Sequence, residues 1–429
     1  MAKTYRPYVP EQDLLLPPSL RDWLPEDHLA FFVSDLIDQL DLSAITKEYE
    51  DEERGYPPYH PVMLTNVLVY GYCVGVFSSR KIQRRLVEDV AFRVLAAGNE
   101  PDFRTIADFR KTHLTALKGL FEQVLRLARE LGAPRVGRVA LDGSKIKANA
   151  SKHKAMSYGR MREKQRQLRE EVNDLLAQAE AADAAEDAEY GADRRGDELP
   201  AELQRRESRL KRIREAKRAL EARAKDEAAA KGEPADAAKP DAKAQYNFTD
   251  PESRIMKGPD GFVQGYNVQL AVDELQLIVG QAVTQETNDK KQLMPMISTI
   301  EQQSGDAPSQ LLADAGYCSD VNLAAIAGTD IDAYISTRKQ KHGERPGPCP
   351  RGPLPTTATI VDRMSRKLHT KAGAAVYAAR KGIVEPVIGQ IKHARGFRQF
   401  LLRGFEKVQG EWSLVCTTHN ILKLYRLCV

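Results

Sequence analysis

Paired cysteines, long unbroken apolar runs and a strong net charge are all missing from this chain of 429 residues. Its five cysteines, Cys73, Cys318, Cys349, Cys416 and Cys428, are odd in number and scattered, with no CxxC pair and no histidine pair at zinc-finger spacing. A disulfide framework and a structural zinc are therefore excluded as organising elements. The longest apolar run, Val62 to Phe77, is broken by Thr65 and Asn66 and falls short of the roughly 20 residues that span a bilayer, so no membrane partner is expected. The opening MAKTYRPYVPEQD has no apolar core of a secretory signal, and a cytoplasmic location is expected. Net charge is only +4, too little at this length to argue for nucleic acid by itself. Tryptophan is scarce as well: Trp23 and Trp412 are the two, both expected as packing anchors.

What is present is uneven along the chain. Residues 1–133 read as a helical domain, with apolar residues at helical spacing over Leu29 to Leu42, Pro61 to Val76, Ser79 to Ala97 and Ile106 to Leu131. The second and third of these, joined by a short turn and carrying Arg80, Lys81, Arg84 and Arg85, fit either plain packing or a helix-turn-helix-like DNA reader. At Val136 the texture changes. VGRVALD is a β-type run ending on Asp142, with Gly143-Ser144 after it as a turn signal. FVQGYNVQLAVD places Phe262, Tyr266, Val268, Leu270 and Val272 on one face, leaving Asn267 and Gln269 on the other as solvated positions, and LIVGQAVT follows as its hairpin partner. A helix from about Asp289 to Gln303 precedes a short strand ending on Asp314, and a last strand covers Asp332 to Ser336. Between VGRVALD and FVQGYNVQLAVD, residues 151–245 are rich in Ala, Glu, Lys and Arg and read as two long exposed helices joined near Tyr190 to Pro200.

Charge is concentrated locally. Ser336 to Lys371 holds nine cations against two acids, and Gln204 to Lys225 ten against three. The first block leads into YAARKGIVEPVIGQIKHARGFRQFLLRG, where Glu385 lies among Arg380, Lys381, Lys392, Arg395, Arg398 and Arg403. On a helix Glu385 and Lys392 fall on nearly one face about 10 Å apart, and Pro386 either kinks that helix or occupies the first turn of one starting at Glu385. Two strand-end aspartates, Asp142 and Asp314, with a helical glutamate, Glu385, can hold magnesium while substrate phosphate oxygens complete its shell. Paired ions about 3.5 to 4 Å apart then stabilise attacking and leaving oxygens at phosphorus. His153, His393 and His419 are expected in surface or packing roles.

This set of segments resembles the DDE transposases of bacterial insertion sequences, in the branch marked by a Tyr-Arg-Glu-Lys motif, here Tyr377, Arg380, Glu385 and Lys392. Four residues separate Arg380 from Glu385 where that pattern has three. The likeness also covers PDFRTIADFRKTH, ALDGSKIKANASKHKAMSY, FTDPESRIMKGPDGFVQGYNVQLAVD, LLADAGYCS and RGFEKVQGEW. It implies an α/β, RNase H-like mixed sheet with flanking helices over residues 134–150 and 246–400, preceded by a DNA-binding helical domain, interrupted by the insertion 151–245 and followed by a helical extension over 401–429. It further implies Asp142, Asp314 and Glu385 as a metal-binding triad for two Mg²⁺ or Mn²⁺ ions. DNA contacts are implied for Lys392, Arg380, Tyr377, Arg395 and Arg398, with Arg80, Lys81 and Arg84 as further candidates on the N-terminal helices. The expected reaction is cleavage at the element's terminal inverted repeats and joining of the 3′ hydroxyl to target DNA, by a homodimer on double-stranded DNA in the nucleoid. The alternatives are a nuclease of the same fold without strand transfer and a catalytically silent, transposon-derived DNA-binding protein.

Overall fold

The computed structural model describes residues 19–50, 57–133, 136–190, 201–230, 232–234, 238–258, 261–338, 349 and 352–428. Within them the chain is mixed α/β, a helical region followed by one mixed sheet with helices on both faces. The helical region contains α1 (Leu29–Asp38), α2 (Ser43–Glu50), α3 (Pro61–Cys73), α4 (Ser79–Glu88), α5 (Val90–Leu95), α6 (Phe103–Thr112) and α7 (Leu114–Glu130). The expected single helix over Ser79 to Ala97 is two, because the Asp89 carboxylate accepts from the amides of Ala91 and Phe92 and so caps a new helix in mid-segment. Ile106 to Leu131 divides likewise at His113.

The sheet begins with β1 (Arg138–Lys147). It continues through β4 (Arg254–Gly258), β5 (Gly261–Asp273), β6 (Ile278–Thr284), β7 (Gln310–Ala313) and β8 (Asp332–Ile335), while β2 (Ala155–Ser157) and β3 (Gln245–Asn247) form a separate ribbon. The strand order is β6-β5-β1-β7-β8, with β4 sharing the outer edge of β5. β1, β5 and β6 are antiparallel neighbours; β7 and β8 run parallel to β1. The hairpin expected from FVQGYNVQLAVD and LIVGQAVT is therefore present as β5 and β6.

Alternation along the strands produces two cores. Tyr266, Val268, Leu270 and Val272 face a core shared with the N-terminal helices and with Ile383, Val384 and Val387, whereas Val139, Leu141 and Ala271 face Leu293, Met296 and Ile300 on the opposite side. The first of these helices is α13 (Lys371–Gly389), preceded by α12 (Ile360–His369); the second is α10 (Leu293–Ser304), followed by α11 (Asp320–Ala327). Phe262 departs from the expected stripe: it is 63% exposed. Trp412 is buried as expected, but Trp23 is 58% exposed and anchors no core.

The insertion folds as α8 (Tyr158–Tyr190) and α9 (Ala201–Ala230). They run antiparallel, since Tyr158 Oη donates to Glu221 at 2.7 Å while Arg206 pairs with Glu171 at 3.0 Å. Their seam is Met161, Leu168, Leu210, Ile213 and Leu220. The expected joint lies outside the described residues from 191 to 200, as do Lys339, Lys341, Arg345 and Arg351 of the basic stretch.

The last helix, α14 (Phe405–Cys428), packs on α7, α3 and β6. Its Asn420 acts as a one-residue strand: Oδ1 accepts from the Ile278 amide and Nδ2 donates to the Ile278 carbonyl, both at 2.8 Å and fully buried. Replacing Asn420 with alanine strands both backbone groups. Because an unmet buried donor or acceptor costs about 1–3 kcal/mol, Asn420→Ala is expected to lower unfolding free energy by about 3 kcal/mol, read as a shift of the urea midpoint without a change of slope.

Candidate active site

Asp142 lies in the middle of β1, not at its end, and Gly143-Ser144 continue the strand instead of turning it. Gly143 is needed for close approach: a Cβ there would stand 2.3 Å from Asp289 Oδ1 and 2.8 Å from Gln269 Nε2. Alternation sends Asp142 and Ser144 toward Arg380 of α13 and toward Lys392, just beyond that helix, and sends Gly143 and Lys145 toward Asp289.

Asp314 follows β7 directly, as expected of a strand-end acid, and its Oδ1 accepts from the Gly316 amide at 2.8 Å. Glu385 lies on α13 with its side chain 52% exposed. The guanidinium of Arg380, only 10% exposed, connects the acids: Nη1 is 3.6 Å from Asp142 Oδ2 and Nη2 is 3.7 Å from Glu385 Oε1. Burial pushes the Asp142 carboxyl up to about 6; Arg380 opposes this, and the negative charges of Asp314 and Asp289 add to it. Asp142 and Glu385 thus share one cation, and Asp314 is close enough to raise Asp142's proton affinity.

The helix carrying Glu385 does not start at that residue, so Pro386 does not occupy a first turn. α13 runs through Pro386. The carbonyl of Gly382, which a proline nitrogen cannot satisfy, instead accepts from Gln276 Nε2 at 3.1 Å. A π-helical turn, Gln390–Ala394, follows, so Glu385 and Lys392 do not share a simple seven-residue stripe. Lys392 Nζ reaches inward to Ser144 Oγ at 2.6 Å and the Lys145 carbonyl at 3.0 Å, and burial pushes its pKa down.

The remaining expected contacts divide by exposure. Tyr377 is half-buried and burial raises its phenol, with Arg380 opposing. Arg395 is not offered to DNA: its guanidinium donates to Thr418 Oγ1 at 2.8 Å and the Val415 carbonyl at 3.1 Å, clamping α14. Arg398 is exposed, donating to the Lys392 carbonyl and to His393 Nδ1. Arg80, Lys81 and Arg84 are exposed on α4, with Arg80 over the Phe103 ring at 4.6 Å and Arg84 paired to Glu88. Of the histidines, His419 is buried and bonded to the Gln276 carbonyl, a packing role.

A further acid, Asp289, which no motif in the sequence marks, lies at the site. Asp289 Oδ1 accepts from Asn267 Nδ2 and Gln269 Nε2, both at 2.7 Å, and pairs with Lys145 at 3.6 Å. Asn267 and Gln269, expected to be solvated, are fully buried, and Tyr317 Oη donates to Gln269 Oε1. A Cβ at Gly316 would meet Asp314 Oδ1 at 2.9 Å and Asp289 Oδ2 at 3.3 Å, so these two oxygens face one small space. The available signal was two amides alternating with apolar residues in a central strand, which calls for a buried polar partner.

Among the described residues no three acidic, histidine or cysteine side chains stand close enough to cage an ion by themselves. The donor chemistry nevertheless suits a hard divalent cation. The acids there offer carboxylate oxygens, and Mg²⁺ takes one or two of them while water and phosphate fill the rest of its octahedron.

Two families match the chain: one described as Transposase domain (DUF772), over residues 18–112, and one described as Transposase DDE domain, over residues 355–425. The first covers most of the N-terminal helices; the second contains Tyr377, Arg380, Glu385 and Lys392, and the sheet lies between the two. No curated protein and no solved structure matches. The two matches together support a DDE transposase of an insertion sequence. No described helix is long and apolar enough to cross a membrane.

Two outcomes follow from the geometry. A carboxyl raised in the folded state binds its proton more tightly there than when unfolded, so Asp142 stabilises the fold at low pH and that contribution is lost as pH rises from about 4 to about 6. In chelator-containing buffer, Asp142→Asn is expected to gain on wild type by up to about 3 kcal/mol across that window in urea titrations. Asp289→Ala, which strands Asn267, Gln269 and Lys145, is expected to cost about 2–3 kcal/mol, visible as a lowered thermal midpoint.

Proposed function

We propose that this transposase cuts DNA at the ends of its element and joins the freed 3′ hydroxyl to target DNA, with Asp142, Asp314 and Glu385 holding Mg²⁺ or Mn²⁺. The observation that carries the reading is the position of Arg380, within 4 Å of acids contributed by β1 and by α13, with Asp314 acting on the first of them. When bound, a pair of divalent ions would supply charge neutralisation at phosphorus. The protein's own contribution is positional. Arg380 holds Asp142 and Glu385 in register and offsets their repulsion. Lys392 fixes the π turn to β1 and is placed by that anchor beside the same site.

The strand order, with three antiparallel strands followed by two parallel to the first, supports assigning the sheet to the RNase H-like folds. We assign catalysis to residues 134–150 and 246–400, and DNA recognition to residues 1–133, where α4 turns Arg80, Lys81 and Arg84 outward. The insertion 151–245 and the extension 401–429 are the remaining units. Action as a dimer on paired inverted repeats completes the reading.

The test is cleavage and strand transfer on linear DNA carrying the element's ends. Asp142→Asn, Asp314→Asn and Glu385→Gln are each expected to abolish both reactions while preserving DNA binding. Arg380→Ala, which loosens the acids without removing them, is expected to lose about 10- to 100-fold. Retained cleavage in any of the three acid variants sinks the assignment. Cleavage without joined product in the wild type selects the nuclease reading.

A further inference from the structure

A cavity of about 540 Å³ opens beside the acids, between the far end of β1, the start of β5 and the π turn. Lys145, Lys147, Lys152, Lys392 and Arg398 line it, and no acidic residue does. The cations are held in place. Main-chain bonds from the Lys147 amide to the Arg398 carbonyl and from the Phe400 amide to the Lys147 carbonyl pin the two sides together. Lys145 and Lys392 form the wall shared with the candidate active site, since one pairs with Asp289 and the other donates to Ser144.

Phe262 stands on the same lining. It sits at the entry of β5 opposite Lys257, and its ring is 63% exposed although Tyr266, Val268, Leu270 and Val272 of the same strand are buried. A bare ring among cations is a poor seat for an apolar protein surface, which would have to desolvate those charges. It is a good seat for a base. A duplex offers phosphates and base edges, but its base faces are stacked on one another, so a ring face can be met only by an unpaired nucleotide.

We propose that this groove binds a single-stranded segment of nucleic acid, with backbone phosphates on Lys147, Lys152 and Arg398 and one unpaired base stacked on Phe262. The inference rests on the reading that the chain acts on DNA, and extends it to the strand form that must leave or enter the site. A groove continuous with the acids through Lys145 and Lys392 is where a separated strand end would lie.

The experiment is fluorescence anisotropy of the full chain, without divalent metal, on an oligothymidylate of about a dozen nucleotides and on a duplex of equal length. Phe262→Ala is expected to weaken single-strand binding about tenfold, leave duplex binding unchanged and keep the wild-type thermal midpoint, while Phe262→Tyr retains affinity. Lys147→Ala and Lys152→Ala are each expected to lower the slope of log affinity against log salt on the single strand by about 0.7. Unchanged single-strand affinity in Phe262→Ala, an equal loss on duplex, or unchanged salt slopes overturn the proposal. If the wild type cuts element DNA and Phe262→Ala is neutral, only the groove assignment fails; if the wild type binds neither DNA, both readings fall.

Discussion

Carboxylates brought together in a partly buried place repel one another, and the rest of this site is arranged around one guanidinium that offsets that repulsion. Arg380 reaches acids from a central strand and from its own helix at nearly equal distances. Without it, the negative charges that raise Asp142 would lose the largest attraction that opposes them, leaving the Gly143 amide and the charges of Lys145 and Lys392. Coulomb attraction at such separations weakens with solvent access, so the burial of Arg380 is what makes its single charge effective against several acids. The cation belongs to the fold before any substrate arrives.

The second constraint is the sheet beneath. Gly143 allows the Asp289 carboxylate to lie against β1, and the amides of Asn267 and Gln269 on the adjoining strand hold it there. Polar groups buried this densely are stable only when nearly all are satisfied. The network of Asp289, Asn267, Gln269, Lys145 and Tyr317 therefore fixes the strand carrying Asp142 from the face opposite Arg380. The π turn plays a similar part at the other end, because its extra residue per turn lets Lys392 point back into β1.

Much of this was legible in the chain. Alternation in Tyr266 to Val272 announced a strand, though not the burial of both its faces, and helical spacing announced the N-terminal helices and the long insertion. The acids that the structure gathers around Arg380 were readable as types. Less legible were features set by distant partners. Gly143-Ser144 has turn composition, yet pairing with β5 on one side and the pressure of Asp289 on the other keep it extended. Pro386 reads as a helix breaker until Gln276, more than a hundred residues earlier, is found bonded to the freed carbonyl. Arg395 has the composition of a phosphate ligand, but Thr418 and Val415 occupy it. Local chemistry indicated the elements; long-range partners decided which polar groups remain available.

The insertion enters and leaves through the short ribbon in which Ala155 to Ser157 pair with Gln245 to Asn247. Closing the excursion at its neck means that the entropy of the long detour is not charged against the register of β1 with β5. The helical hairpin beyond that neck has its own apolar seam. It is consequently a graft point: its length and surface can diverge, or be exchanged for another module, while the strand bearing Asp142 keeps its place.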